Sequence, residues 1–262
     1  MPGIFGTIEA SPNPTTILFV DGASFQKTID YYESEAKQIL SRDFSHFFKK
    51  FDRIFYYDAL PSKKPGQSQN EYDNIVKRKE LEFDRIDSID NCHVRLGSSK
   101  WRRKTGLTQK GVDIHLAVEA YENVIRGNAD EYHFIVSDLD FLPLFEAIVR
   151  AGTKVHCYYD TRCTSKELLR SADIRIPMHF AYLYNSILNE IDRLGRCYYS
   201  KEGASLECIS NLPIIEFEEN KYHLFEEGGE YCFMEAGSNI VGRAPTEEMR
   251  RVLISDAKFV RG

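Results

Sequence analysis

No run of eighteen apolar residues occurs in these 262 residues, so nothing in the sequence reads as a membrane-spanning helix. No two cysteines have the C-x-x-C spacing. The six (Cys92, Cys157, Cys163, Cys197, Cys208, Cys232) are scattered, which argues against a zinc knuckle. Positive charge is in short supply. The net charge is −6, so any affinity for nucleic acid has to come from a local patch and not from the whole chain. The opening stretch MPGIFGTIEASPNP lacks the basic n-region and the long apolar h-region of a signal peptide. Without an export signal, reduced thiols in a cytoplasmic protein are expected. Internal repeats and low-complexity tracts are also missing. What remains is 42% apolar and 13% aromatic residues, enough for one substantial core and a smaller second unit.

The order of elements points to an α/β fold. Residues 1–14 are rich in Pro and Gly and read as a loose leader. TTILFVDG reads as a buried strand ending at Asp21. A helical stretch follows from about Phe25 to Lys50, with a break expected at Ser41. RIFYYDA is a second strand, ending near Asp58, and residues 71–87 carry helical periodicity. CHVRLG is a third strand. KGVDIHLAVEAYENVIRG is a helix whose Val112, Leu116, Ala117, Ala120, Tyr121 and Val124 share one broad face, with Gly127 to end it. YHFIVS is a fourth strand, DFLPLFEAIVRAG a helix stopped at Gly152, and KVHCYY a fifth strand. Strands alternating with helices imply a largely parallel sheet covered on both faces, with ligands outside the carboxyl ends of the strands. This domain spans 15–190. Residues 191–262 change texture and read as a small α+β appendage: short β-like runs (PIIEFEE, KYHLFEE), then one helix, PTEEMRRVLISDA.

Four carboxylates attract attention: Asp21 in FVDGAS, Asp113 in KGVD, and Asp138 and Asp140 in SDLD. Each lies at a strand-to-helix junction, where Asp and Ser are also preferred helix caps, so a capping role competes with a functional one. Asp58 and Asp160 end strands as well, and a strand-end position alone therefore decides little. Brought together, such acids repel one another unless cations lie among them. Oxygen ligands suit Mg²⁺ or Mn²⁺, whose bound water can attack a phosphodiester.

ILFVDGASF, KGVDIHLAVEAY, FIVSDLDFLPLFEAIVRAGTKV and SKELLRSADIRI, over roughly residues 16–185, resemble the four blocks of the NYN domain, in the LabA-like branch of the PIN-like nucleases. The resemblance implies a Rossmann-like three-layer α/β/α core and a metal-dependent endoribonuclease using Mg²⁺ or Mn²⁺. It puts catalytic and metal-holding roles on Asp21, Asp113, Asp138 and Asp140, with Ser24 and Ser137 in support. The chain departs from the family pattern at Ser24, where many members carry Asn, and at Glu119, where Asp is usual. Asp113 and Glu119 are six apart on a helix and cannot both face one metal. These departures keep a second function open: an inactive RNA-binding or regulatory module of the same fold.

Between Asp90 and Asp113 there is no acid, while Arg95, Lys100, Arg102, Arg103, Lys104 and Lys110 surround Trp101. This window is a candidate RNA-binding element, with cations for phosphates and an aromatic ring for stacking a base. A solvated loop anchored by its tryptophan is the alternative. Lys63, Lys64, Lys77, Arg78 and Lys79 could extend the track, although Lys77–Lys79 fit an ordinary solvated helix face. His115 and Glu119 have metal-ligand spacing but no third ligand nearby in sequence, so a salt-bridged or surface pair is expected. His133 and His156 read as structural, and Cys157 and Cys163 as a reduced, buried pair. Ser165 reads as a helix cap, with Asp173 near the site. A phosphatase of the haloacid-dehalogenase type fits poorly, because the D-x-D pair lies mid-chain and Leu142 stands where Thr or Val is wanted. The expected partner is single-stranded or structured RNA, with no membrane. Residues 191–262 are available for a protein partner or a homo-oligomer.

Overall fold

The computed structural model describes residues 14–102, 106–190, 195–200, 213–238 and 240–259, with backbone alone at 98–102 and 106–110. The leader up to residue 13, Arg103, Lys104 and Cys208 lie outside them. Six parallel strands form the main sheet: β1 (Thr16–Asp21), β2 (Arg53–Asp58), β3 (Cys92–Leu96), β6 (Glu131–Ile135), β7 (Lys154–Tyr159) and β8 (Ile174–Pro177). Their order is β3-β2-β1-β6-β7-β8. β1 therefore lies between β2 and β6, with Val20 opposite both Tyr56 and Ile135.

The strand residues are apolar on both faces because both faces are covered. Leu18 and Val20 join one core with helices α1 (Gly22–Ala36) and α3 (Gln69–Asp87). Ile17 and Phe19 join the other with α4 (Val112–Ile125), α5 (Leu142–Arg150) and α6 (Lys166–Ser171). The connections leave β1 in one direction and β6 in the other. The crevice between their carboxyl ends is thus the topological switch point, where ligands bind in open α/β sheets.

Five of the six strands match the sequence reading, and four details differ. The first helix ends at Ala36, before Ser41, because Lys37 adopts the left-handed conformation (φ 49°) and its N–H returns to the Glu33 and Ser34 carbonyls. A four-residue helix α2 (Ser45–Phe48) follows. The sixth strand, β8, has no continuous apolar run and could not be read from period. Tyr121 is exposed, because the buried face of α4 runs through Leu116, Ala120, Asn123 and Val124. The basic window is a two-stranded antiparallel hairpin, β4 (Ser98–Arg102) with β5 (Gly106–Lys110), and not a loop.

The C-terminal appendage is an antiparallel sheet of β9 (Tyr198–Ser200), β10 (Ile214–Phe217), β11 (Asn220–Glu227), β12 (Glu230–Glu235) and β13 (Val241–Ala244), in the order β10-β11-β12-β13-β9. Its helix α8 (Glu247–Asp256), capped by Thr246, packs on α1. Tyr222, Phe233, Met249 and Leu253 share one core with Phe25 and Tyr32 of the main domain. A buried polar knot fixes this contact. Asp256 Oδ2 accepts hydrogen bonds from Tyr32 Oη (2.9 Å) and from Phe180 N (2.6 Å) in the short helix α7 (Phe180–Tyr182). Burial pushes the Asp256 carboxyl up to about 6, although both donors pull it down. Asn can accept the same two bonds without charge, whereas Ala strands both donors. Asp256→Ala is expected to cost about 2–4 kcal/mol in urea unfolding and Asp256→Asn much less, with both units melting in one transition. Separate melting of the two units would contradict the shared core.

Candidate active site

A cleft of about 700 Å³ opens at the switch point. Asp21, the last residue of β1, is also the N-cap of α1, where its Oδ1 accepts from Ser24 N at 3.2 Å. The next residue has to be glycine in this packing: a Cβ on Gly22 would stand 2.6 Å from the buried Tyr56 ring. Asp113 lies in the first turn of α4 but does not cap it. That position belongs to Gly111, at φ 90°. Asp138 follows β6 and caps a single 3-10 turn, with Oδ1 accepting from Asp140 N at 3.0 Å. The cleft is lined by Asp21, Ser24, Asp113, Ser137 and Asp138. Asp140 is outside this lining, yet near enough to raise Asp113.

Two further strand-end acids, Asp58 and Asp160, line the same cleft. Each is matched by a cation. Asp58 Oδ2 is 2.9 Å from Lys79 Nζ. Asp160 accepts from Arg162 Nε and N (2.9 Å each) and from Thr28 Oγ1 (2.9 Å), and is ion-paired to Arg162 Nη2. Asp21, Asp113, Asp138 and Asp140 form no ion pair among the described residues. Burial pushes Asp21 up to about 6 against the pull of the Ser24 N–H, with Asp113 and Asp58 adding repulsion and Lys27 relieving it. Asp113 is raised by burial first, then by Asp138 and Asp140. Among the described residues, the cleft therefore holds negative charge that no ion pair offsets.

Lys27, Arg162 and Cys163 also line it, and the sequence reading passed over Lys27 and Arg162. Arg162 is two residues from Asp160, so that pairing had a local signal. Cys163 is exposed and free, so it forms no buried pair with Cys157. Lys79 turns inward and is not part of a solvated face. Asp173 lies at the other end of the sheet, where Oδ2 accepts from Val155 N (2.9 Å); Ser165 caps α6 as expected.

Glu119 points away from the cleft. It accepts from Arg95 Nε (3.1 Å) and Tyr57 Oη (2.6 Å). Burial raises its carboxyl, and these two donors overcome that and hold it low. Arg95 is thereby engaged and lies over the Phe55 ring at 5.2 Å. His115 meets the edge of Tyr57 and makes no ion pair with Glu119 among the described residues. The basic hairpin carries Lys100, Trp101, Arg102 and Lys110 and is rooted at the cleft. Gly97 N donates to the Asp58 carbonyl (2.8 Å), and Gly111 is a lining residue.

Residues 15–179, more than half of the chain, match the NYN domain. The protein belongs to the NYN domain family. No curated protein matches the chain. A crystal structure of a protein of unknown function from Vibrio parahaemolyticus is similar over 66% of this chain and 98% of its own, with 19% identity and a TM-score of 0.48. NYN domains have a PIN-like nuclease fold, and the six-stranded parallel sheet is consistent with it.

The charge imbalance can be measured in the metal-free protein. A raised carboxyl pKa means that the folded state holds its proton longer, so stability falls as pH rises from about 4 through about 6. Asp21→Asn keeps a capping oxygen and removes the charge. Above pH 7 in chelator it should be more stable than wild type by on the order of 2–3 kcal/mol. The gain should vanish below about pH 4, where the carboxyl is protonated in both states. Equal stability at pH 8 would show that Asp21 carries no such burden.

Proposed function

We propose that this NYN protein is a metal-dependent endoribonuclease of the LabA-like type, hydrolysing RNA phosphodiester bonds in the cleft at the β1/β6 switch point. The observation that carries the reading is the contrast in charge pairing. Among the described residues, Asp58 and Asp160 are each matched by a cation, whereas Asp21, Asp113 and Asp138 are not. An all-oxygen, acidic donor set of this kind fits a hard divalent cation, Mg²⁺ or Mn²⁺. Such an ion supplies a water nucleophile at neutral pH and offsets the charge that develops on the phosphate.

The protein's own groups prepare the site. Helix capping fixes Asp21 and Asp138, so each presents its carboxylate without a search over rotamers. Asp140 adds charge behind Asp113, and Ser24 and Ser137 offer hydroxyls to bound water. Lys27, exposed and without an ion pair among the described residues, stands ready for a phosphate oxygen at the rim. The basic hairpin rooted beside the acids supplies cations for the strand and Trp101 for stacking, which supports RNA as the polymer. Arg95, engaged with Glu119, contributes less to that track than its sequence position suggested.

Purified protein with Mg²⁺ or Mn²⁺ should cut single-stranded RNA internally and stop in excess chelator. Asp138→Asn should lower the rate by at least about 100-fold, because a direct ligand should cost more than the roughly 10–100-fold typical of its hydrogen-bonded supporters. Salt-sensitive RNA binding without cleavage in any divalent metal, unchanged in Asp138→Asn, would replace this reading with the inactive binding module.

A further inference from the structure

At the amino end of the same sheet, far from the acidic cleft, Glu131 and His133 of β6 meet His156 of β7. Strand register sets His133 directly opposite His156, and Glu131, two residues before His133, shares its face of the sheet. The two imidazole rings stand 4.1 Å apart. Glu131 Oε2 is 3.7 Å from His133 Nε2 and 3.5 Å from His156 Nε2, too far in each case for a hydrogen bond. The histidines are 7% and 8% exposed. Neither ring nitrogen of His133, nor Nε2 of His156, has a hydrogen-bond partner among the described residues. Buried polar atoms are nearly always satisfied, and two orphaned Nε2 atoms beside one carboxylate oxygen call for a missing partner.

We propose that Glu131, His133 and His156 form a binding site for a Zn²⁺-type transition-metal ion, separate from the cleft and independent of the nuclease reading. Two imidazoles and one carboxylate are a recurrent zinc donor set, with the fourth position left to water. Ligands about 2.0–2.1 Å from a tetrahedral zinc lie roughly 3.4 Å from one another, and the two carboxylate-to-imidazole separations are close to that. All the donor atoms lie within 4.8 Å of one another. Both histidines are ready as neutral ligands. Burial, then His156, holds His133 down at about 3, and burial holds His156 low against the pull of Glu131. Lys154 lies 3.9 Å from the other carboxylate oxygen, Oε1, and leaves Oε2 to the histidines. Phe51 and Tyr158 wall the site with aromatic rings. The partly exposed Glu131 is its opening to solvent. Imidazole nitrogen favours zinc, nickel or cobalt over magnesium, so the two ends of the sheet select different ions.

The test is a Zn²⁺ titration of the full chain in excess Mg²⁺, added to compete for oxygen-ligand sites elsewhere on the chain. One Zn²⁺ per chain should bind, and Zn²⁺ should raise the melting temperature. Co²⁺ should give the intense visible absorption of a tetrahedral nitrogen-containing site. Glu131→Gln and His156→Gln should each weaken Zn²⁺ binding at least tenfold and remove the thermal shift, while Asp138→Asn leaves both unchanged. Glu131→Gln is isosteric at a partly exposed position and should melt like wild type in chelator, so it keeps the test open if the histidine variant fails to fold. The proposal is overturned if folded wild type retains no Zn²⁺ on equilibrium dialysis, if the Glu131 variant binds as well as wild type, or if Asp138→Asn abolishes binding. None of these results depends on RNA cleavage.

Discussion

Negative charge that is concentrated without being neutralised sets the terms for this molecule. A parallel sheet with its strands buried on both faces has to turn its polar residues outward at the strand ends, and this sheet ends four of its strands in or near an aspartate. Two of these are discharged locally: Lys79 reaches Asp58 from α3, and Arg162 folds back on Asp160 from the loop after β7. The remaining acids face one another across the β1/β6 crevice, where burial and mutual repulsion lift Asp21 and Asp113. A fold gains no stability from that arrangement: Asp21 is buried without a partner cation among the described residues, and the neighbouring acids repel it. Its persistence where two chain directions diverge is what gives it a functional meaning.

Capping and catalysis are often weighed as alternatives for an acid at a strand end, and here they coincide. Asp21 accepts from Ser24 N and Asp138 from Asp140 N, so each satisfies an exposed backbone donor. The same bonds fix the carboxylate and leave its second oxygen unengaged among the described residues. A cap thus serves as the positioning device for the site, held by backbone geometry that few substitutions disturb. Asp113 lacks this support. The left-handed Gly111 turns the chain into α4 instead and sets the acid in the first helical turn, where the helix dipole favours negative charge.

Whatever depends on short-range pattern was legible in the sequence. Apolar runs gave five of the six parallel strands, and Asp21, Asp113, Ser137 and Asp138 stand out at their junctions. Residues that act through long-range packing were not legible. The Asp58–Lys79 pair needs α3 laid along β2, and the His133–His156 pair needs the register of β6 against β7. β8 was missed because its residues are half-exposed and carry no apolar run. The end of α1 was missed because Lys37 adopts the left-handed conformation more often taken by glycine. The basic window shows no alternation of apolar and polar residues to announce a hairpin.

The C-terminal sheet changes how the cleft should be regarded mechanically. α8 shares its apolar face with α1, and Asp256 ties Tyr32 of α1 to Phe180 of α7. α1 is also the helix whose first residues follow Asp21 and whose Thr28 holds Asp160. One helix therefore connects the appendage to two walls of the acidic crevice. Because packed cores resist continuous deformation, a partner that bound the antiparallel sheet and shifted α8 would have to move α1 as a unit. Such a movement would change the separation of Asp21 from Asp113 and Asp138, which belong to elements in the other core. The appendage thus meets the site's walls through α1 and, among the described residues, adds none to the cleft lining.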